Sequence, residues 1–191
     1  MTEYFEVHRR DGAARLGELR LSEPVTTPAA VDEHVEDGGS LWATEQAVPA
    51  GDDDHLTILP HRAFPPGTRE PVRESFRVDQ PDLDAPTAAV IHSEEARTVG
   101  TDAYLLSDAQ GFVGHAAGFR DAILRTKEAI PADTALYLSG VATPRNAATL
   151  VSAGVDLVDA KKAKLRGAEG FYLTSDGERF LEDLRELPCA C

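Results

Sequence analysis

Ala135-Leu136-Tyr137-Leu138, the stretch from Pro144 to Ala153, and Val155-Asp156-Leu157-Val158 follow one another closely, and their reading decides the fold. The two flanking runs are short and apolar enough to be buried on both faces, as strands of a parallel sheet are. The middle stretch begins with proline where a first helical turn tolerates it, with Thr143 placed to cap, so it reads as a helix. Working outward, the alternation recurs. Ala88-Ala89-Val90-Ile91 leads into a polar helix from Ser93 to Val99. Ala103-Tyr104-Leu105-Leu106 leads into a helix from about Gly114 to Ile130, with Phe119, Ile123 and Ile130 near one face. Beyond Val158, Phe171-Tyr172-Leu173 reads as another strand and Gly177 to Leu187 as a last helix. Short strands alternating with helices predict parallel βαβ units, hence an α/β fold over residues 86–188.

The first half has a different texture. Tyr4 to His8 and Arg15 to Leu21 flank Asp11-Gly12, and Asp-Gly supplies the positive φ of a tight turn, so a β-hairpin is predicted. From Pro24 to Pro86 the chain is rich in Pro, Gly and Asp, with one clear strand candidate at Leu56 to Leu59. Residues 1–85 thus read as β-rich and irregular.

The 191 residues suit a single domain with a real core, and 42% hydrophobic against 27% charged residues is a globular balance. No apolar run approaches the roughly 20 residues of a membrane span, and the polar start is not a signal peptide, so a cytoplasmic protein is expected. The formal charge is -14, from 33 acidic and 19 basic residues, which argues against an ordinary basic nucleic-acid binder. Only four of the basic residues are lysines, and the carboxylates are dispersed along the chain. Such a surface suits very high salt, where the Debye length falls to about 3 Å at 1 M; an ordinary acidic cytosolic protein is the alternative. The two cysteines, Cys189 and Cys191, are too close for an easy disulfide and read as free thiols or half of a metal site. The six histidines have no metal-ligand spacing.

In a parallel α/β layer the functional residues follow the strands' carboxyl ends. Here these are His92-Ser93, Ser107-Asp108, Ser139-Gly140 and Asp159. Asp108 and Asp159 could converge as nucleophile and acid/base partner, a pairing used in glycosyl chemistry, or each could cap the helix after it. Gly111-Phe112-Val113-Gly114-His115 is a glycine-bearing loop before a helix and lacks a nucleotide fingerprint. Lys161, Lys162, Lys164 and Arg166, with Arg145 nearby, concentrate positive charge; they read as a phosphate contact or as a solvated helix face.

Further residues carry a resemblance. Phe5-Glu6-Val7, Ala14-Arg15-Leu16-Gly17-Glu18-Leu19 and Val25-Thr26-Thr27-Pro28-Ala29 are similar to the start of tRNA-guanine transglycosylases. Gly154-Val155-Asp156-Leu157-Val158-Asp159, Tyr172-Leu173-Thr174 with Gly177, Leu184, and Leu187-Pro188-Cys189-Ala190-Cys191 resemble the end of the archaeal transglycosylase domain. The resemblance implies a TIM-barrel-derived fold acting on tRNA. It also implies that Asp159 matches the ribose-attacking nucleophile, and that Cys189 and Cys191 open a Cys-x-Cys-x-x-Cys…His zinc site. Asp108-Ala109-Gln110-Gly111-Phe112-Val113 keeps the Asp and Phe of the family's Asp-Ser-Gly-Ser-Phe-Gln motif and loses its serines and final Gln.

Asp108 and Asp159 are only 51 positions apart, and the chain is shorter than the roughly 200–250 residues of a full barrel. Together with the weakened motif, this resembles the archaeosine-synthase branch. That branch acts on preQ0 already in the tRNA D-arm and completes archaeosine by an amidinotransferase-type step. The expectation is an N-terminal part of such a tRNA-modifying transferase: a partial or degenerate transglycosylase-like barrel over 1–188 with an N-terminal β-hairpin, then the start of a truncated zinc motif at 189–191. Expected catalytic residues are Asp159 and Asp108, either active or vestigial, that is, kept without the reaction. Gly111, Phe112, Ser139 and Gly140 are expected to meet substrate, and Lys161, Lys162, Lys164 and Arg166 to meet tRNA. The chain alone is expected to lack a complete active site and to bind no zinc, with zinc, catalytic and RNA-binding domains supplied downstream. A homo-oligomer is possible and no membrane partner is expected. The alternatives are an active transglycosylase exchanging guanine for preQ0, and a non-catalytic tRNA-binding or dimerisation module.

Overall fold

The computed structural model describes residues 3–37, 50–61, 64, 67–76, 80–93, 100–107, 109–112 and 114–186. Three antiparallel strands open the chain: β1 (Phe5–Asp11), β2 (Ala14–Leu19) and β3 (Val25–Thr27). Asp11 pairs with Ala14, and Gly12 makes the turn at a φ of 60°, which a side chain would resist. The predicted hairpin is therefore present, extended by a third strand.

Seven short strands then form one sheet: β4 (Ala29–Ala30), β5 (Val35–Asp37), β6 (Leu56–Ile58), β7 (Thr87–Ile91), β8 (Ala103–Leu106), β9 (Ala135–Leu138) and β10 (Leu157–Val158). Their order is β4-β10-β9-β8-β7-β6-β5, every pair parallel. Helices α1 (Glu70–Ser75), α2 (Ala116–Ala129), α3 (Ala147–Ser152) and α4 (Lys161–Ala168) connect or follow these strands.

The outermost strands, β4 and β5, are consecutive in the chain. Flat, a seven-stranded sheet would hold its edges about 29 Å apart, whereas the five Cα steps from Ala30 to Val35 reach at most about 18 Å. The sheet must therefore curl. The hydrogen bonds show how: Val31 N–H still donates to the Val158 carbonyl, while the His34 carbonyl already accepts from Leu56 N–H. One bent segment, residues 29–37, serves both edges and draws the sheet into a small α/β barrel, short of the eight strands of a complete one.

Strand register explains the filling. Ala88, Ala103 and Ala135 lie in register as one inner layer, and Val90, Leu105, Tyr137 and Leu157 form the next. A narrow ring has room only for small side chains where it is tightest. The alternate residues Ala89, Ile91, Tyr104, Leu106, Leu136 and Leu138 point outward and pack with Ile123 and Ile130 of the α2 region and Leu150 of α3. Both faces are thus buried, which is why these strands read as unbroken apolar runs. Each buried leucine contributes about 1.5–3 kcal/mol.

The three-stranded sheet closes the amino end of the barrel. Phe5, Leu19 and Leu21 join the core cluster of the inner alanines. Arg15 reaches across to Asp156, the residue before β10, donating through Nε at 3.0 Å and through Nη2, and its Nη1 binds the Ala132 carbonyl at 2.8 Å. Tyr4 N–H donates to Asp102, the residue before β8. With that end plugged, the carboxyl end is left for ligands.

Two sequence expectations change. The helix read from Gly177 to Leu187 is absent among the described residues: β11 (Phe171–Leu173) and β12 (Glu178–Phe180) form a separate antiparallel pair, followed by a 3-10 turn over Leu181–Asp183. Phe171 stacks on Phe180 with ring centroids 4.1 Å apart, a cross-strand contact that outweighs the local helical spacing of Phe180, Leu181 and Leu184. The helix read from Pro144 begins at Ala147, because Asn146 accepts from Thr143 N–H at 2.8 Å and holds the preceding residues in a turn. The Pro-rich part contributes the short strands β4, β5 and β6 to the barrel, in keeping with its β-rich and irregular reading. Of the helix read from Ser93 to Val99, residues 94–99 lie outside the described residues.

Candidate functional site

Asp159 directly follows β10 and Ser139-Gly140 directly follow β9, so neighbouring strands deliver them to the same rim. Tyr137, one of the inner-layer residues, donates its hydroxyl to Asp159 Oδ2 at 2.8 Å. Ser139 Oγ donates to the same oxygen at 2.6 Å. On the other oxygen, Gly140 N–H donates at 2.8 Å and Lys161 N–H at 3.2 Å. The Lys161 ammonium lies 3.6 Å from Asp159 Oδ2 and donates to Ser139 Oγ at 3.2 Å.

An ionised carboxylate has about four lone-pair positions. Asp159 fills them with four hydrogen bonds, faces a cation, and is 2% exposed. Burial, then the adjacent carboxylate, pushes the Tyr137 phenol far above its ordinary range, so it remains a donor. As folded, the group fixes the β9 and β10 loops to the start of α4.

Gly140 adopts a φ of 70°, which aims its N–H at Asp159; a Cβ there would strike the side chain of Gln110. Gln110 belongs to the 3-10 turn Ala109–Phe112, so Gly111 and the Phe112 backbone are part of the same rim. Asp108, Cys189 and Cys191 lie outside the described residues. His92 follows β7 and is buried, 6.0 Å between ring centroids from Phe64.

The basic residues part company. Lys161 serves Asp159. Lys164 Nζ binds Asp32 Oδ1 at 2.8 Å, and Asp32 Oδ2 accepts from Ala160 N–H at 2.8 Å, pinning α4 to the segment after β4. Burial pushes the Asp32 carboxyl up, but Lys164 and the Ala160 N–H outweigh it and hold the group below its ordinary range. Arg166 binds Glu178, through Nε at 3.1 Å and through Nη2, contacts Glu169, and lies 3.7 Å from the Phe171 ring centroid. Lys162 alone of the four makes no hydrogen bond or ion pair among the described residues.

Sequence reasoning missed Tyr137, Gln110 and Asp32. Tyr137 carried a usable signal: a tyrosine at an inward strand position needs a partner for its hydroxyl, and the carboxylate at the next strand's end is within reach. Asp32 had none, because a two-residue strand leaves no periodicity.

Among the described residues no three or more His, Cys, Asp or Glu side chains gather as a metal set. No helix among the described residues is long and apolar enough to cross a membrane.

A small parallel α/β barrel, plugged at its amino end and carrying polar residues at the strands' carboxyl ends, belongs to the class of TIM-barrel-like α/β domains. Residues 90–191 match the family described as queuine tRNA-ribosyltransferase, and the chain belongs to that family. The whole chain is 67% identical over 191 residues to the archaeosine synthase of Haloferax volcanii, covering 33% of that protein. It is 32% identical over 219 residues to archaeosine synthase subunit alpha of Methanosarcina acetivorans, covering 34% of it. Similarity to the tRNA-guanine(15) transglycosylase of Haloferax volcanii is 38% over 71 residues, which is 37% of this chain and 14% of that protein. The chain spans about a third of the length of the relatives it matches throughout.

Proposed function

We propose that this chain is the tRNA-holding part of an archaeosine-forming enzyme, acting on preQ0 already placed in the D-arm, and that it performs no base exchange itself. The observation that carries the second half is Asp159. A glycosyl nucleophile needs an accessible lone pair aimed at the sugar carbon, and here each position is occupied from within the protein. Retaining the fold while losing the reaction is common, and similarity along the whole of this chain to archaeosine synthases supports that branch. In this reading Asp159 is a positioning residue that shapes the rim formed by Ser139, Gly140 and Gln110. The amidine-forming chemistry belongs to further parts of the enzyme, and Cys189 and Cys191 are two ligands of a zinc set that those parts complete. Cytoplasmic action in high salt accords with the acidic surface.

The second reading, exchange of guanine for preQ0, draws on the partial similarity to transglycosylases. One experiment separates them. The chain is incubated with preQ0-containing tRNA, alone and with the full-length enzyme, and the nucleosides are analysed by mass spectrometry. Archaeosine forming only with the full-length enzyme, and tRNA retained but chemically unchanged by the chain alone, is the expected outcome. Loss of preQ0 in exchange for added guanine by the chain alone would overturn it.

A further inference from the structure

We propose that the groove between the α3 entry, α4 and the β11–β12 hairpin is the chain's phosphate-backbone site for RNA, with Arg145 and Lys162 as its working cations. This inference rests on the tRNA reading above and says where on the surface that contact is made.

The groove has a volume of about 400 Å³ and is lined by Thr143, Arg145, Lys162, Leu173, Thr174 and Glu178, among others. That lies within the roughly 300–1,000 Å³ of ligand-sized sites. Arg145 and Lys162 make no hydrogen bond or ion pair among the described residues. In a chain of net charge -14 most cations would be expected to find a carboxylate, and the neighbouring Lys161, Lys164 and Arg166 all have. The one carboxylate in the groove, Glu178, is already held by Arg166, which is the main cause of its acidity lying below the ordinary range. The groove thus holds two cations, Arg145 and Lys162, beside one carboxylate, Glu178, which Arg166 binds and on which the charge of Lys162 also acts.

Both walls are built to stay in place. Asn146 accepts from Thr143 N–H at 2.8 Å and donates to the Val141 carbonyl at 3.0 Å, which fixes the loop carrying Arg145. Opposite, Thr174 N–H donates to the Gly177 carbonyl at 2.8 Å, closing the hairpin turn. Leu173 adds an apolar surface on which a ribose can rest. The groove begins at the chain segments leaving β9 and β10, so RNA held there runs beside the rim of Ser139, Gly140 and Asp159. Lysine and arginine contacts to phosphate position a nucleic acid without reading its sequence.

The test is fluorescence anisotropy of the full chain with an end-labelled, unmodified tRNA transcript, titrated with KCl. R145Q/K162Q is compared with R9Q/R125Q, which removes the same charge elsewhere; circular dichroism checks that both are folded. R145Q/K162Q is expected to weaken binding about tenfold or more and to lower the slope of log K against log salt by about two, one per lost phosphate contact. R9Q/R125Q is expected to change binding less than threefold. Undiminished binding in R145Q/K162Q, or equal loss in both double variants, would overturn the groove while the tRNA reading stands. A wild-type chain that does not bind tRNA would overturn that reading and the groove with it.

Discussion

Replacing Asp159 by asparagine would put an NH2 group against donors in either amide orientation. On one side it meets the Gly140 and Lys161 N–H groups, on the other the Lys161 ammonium beside two hydroxyls. Asp159→Asn is expected to cost about 2–3 kcal/mol, read as a lower urea midpoint, because buried donors lose a charged acceptor. Tyr137→Phe removes one donor and leaves the others, so about 1 kcal/mol is expected from the same measurement. At the opposite end of the barrel, burial lowers the Lys127 ammonium to about 8, although Asp156 lies 3.9 Å away and pulls it up. In the unfolded chain the lysine returns to its ordinary 10.5, so between pH 8 and 10.5 the unfolded state binds more protons. Stability contributed at this site therefore rises with pH across that window, and the penalty is complete below it. Lys127→Met is expected to be more stable than wild type by about 1–3 kcal/mol at pH 7, with the advantage shrinking towards pH 10 in denaturation midpoints. A pH-independent difference would contradict the assignment.

At the scale of elements, the buried pair Arg15–Asp156 joins the N-terminal sheet to the barrel. Arg15→Met leaves Asp156 buried with only Leu136 N–H at 2.7 Å and a distant Lys127, so a loss of about 3–5 kcal/mol is expected in thermal or urea unfolding. What was legible in the sequence follows the reach of local patterns. The runs at Ala88, Ala103 and Ala135 showed as strands because both their faces are buried, and Asp11-Gly12 showed as a turn because of glycine's backbone freedom. Strands β4 and β5 are two and three residues long, and only pairing with β10 and β6 makes them strands. The C-terminal hairpin was misread for the same reason: its stabilising contacts, Phe171 on Phe180 and Arg166 on Glu178, span more of the chain than a helical window does. In the site, Asp159, Ser139 and Gly140 were found from strand ends, whereas the contact of Tyr137 with Asp159 follows only from the pairing of β9 with β10.

The whole molecule carries -14 on a small surface, while the proposed groove places Arg145 and Lys162 beside one carboxylate, Glu178. Self-repulsion among dispersed carboxylates is relieved by salt, so the melting temperature is expected to rise from about 0.2 to 2 M KCl; a flat or falling curve would contradict the high-salt reading. On the proposed reading, bulk charge would describe the solvent better than the partner, and RNA recognition would fall to placed cations and shape. The central claim is that this barrel holds tRNA without exchanging its base. The most direct test captures tRNA on the immobilised chain in the presence of radiolabelled guanine and counts retained tRNA and incorporated label together. Retained tRNA with no label is the predicted result; label incorporated by the wild type and lost in Asp159→Ala would contradict it.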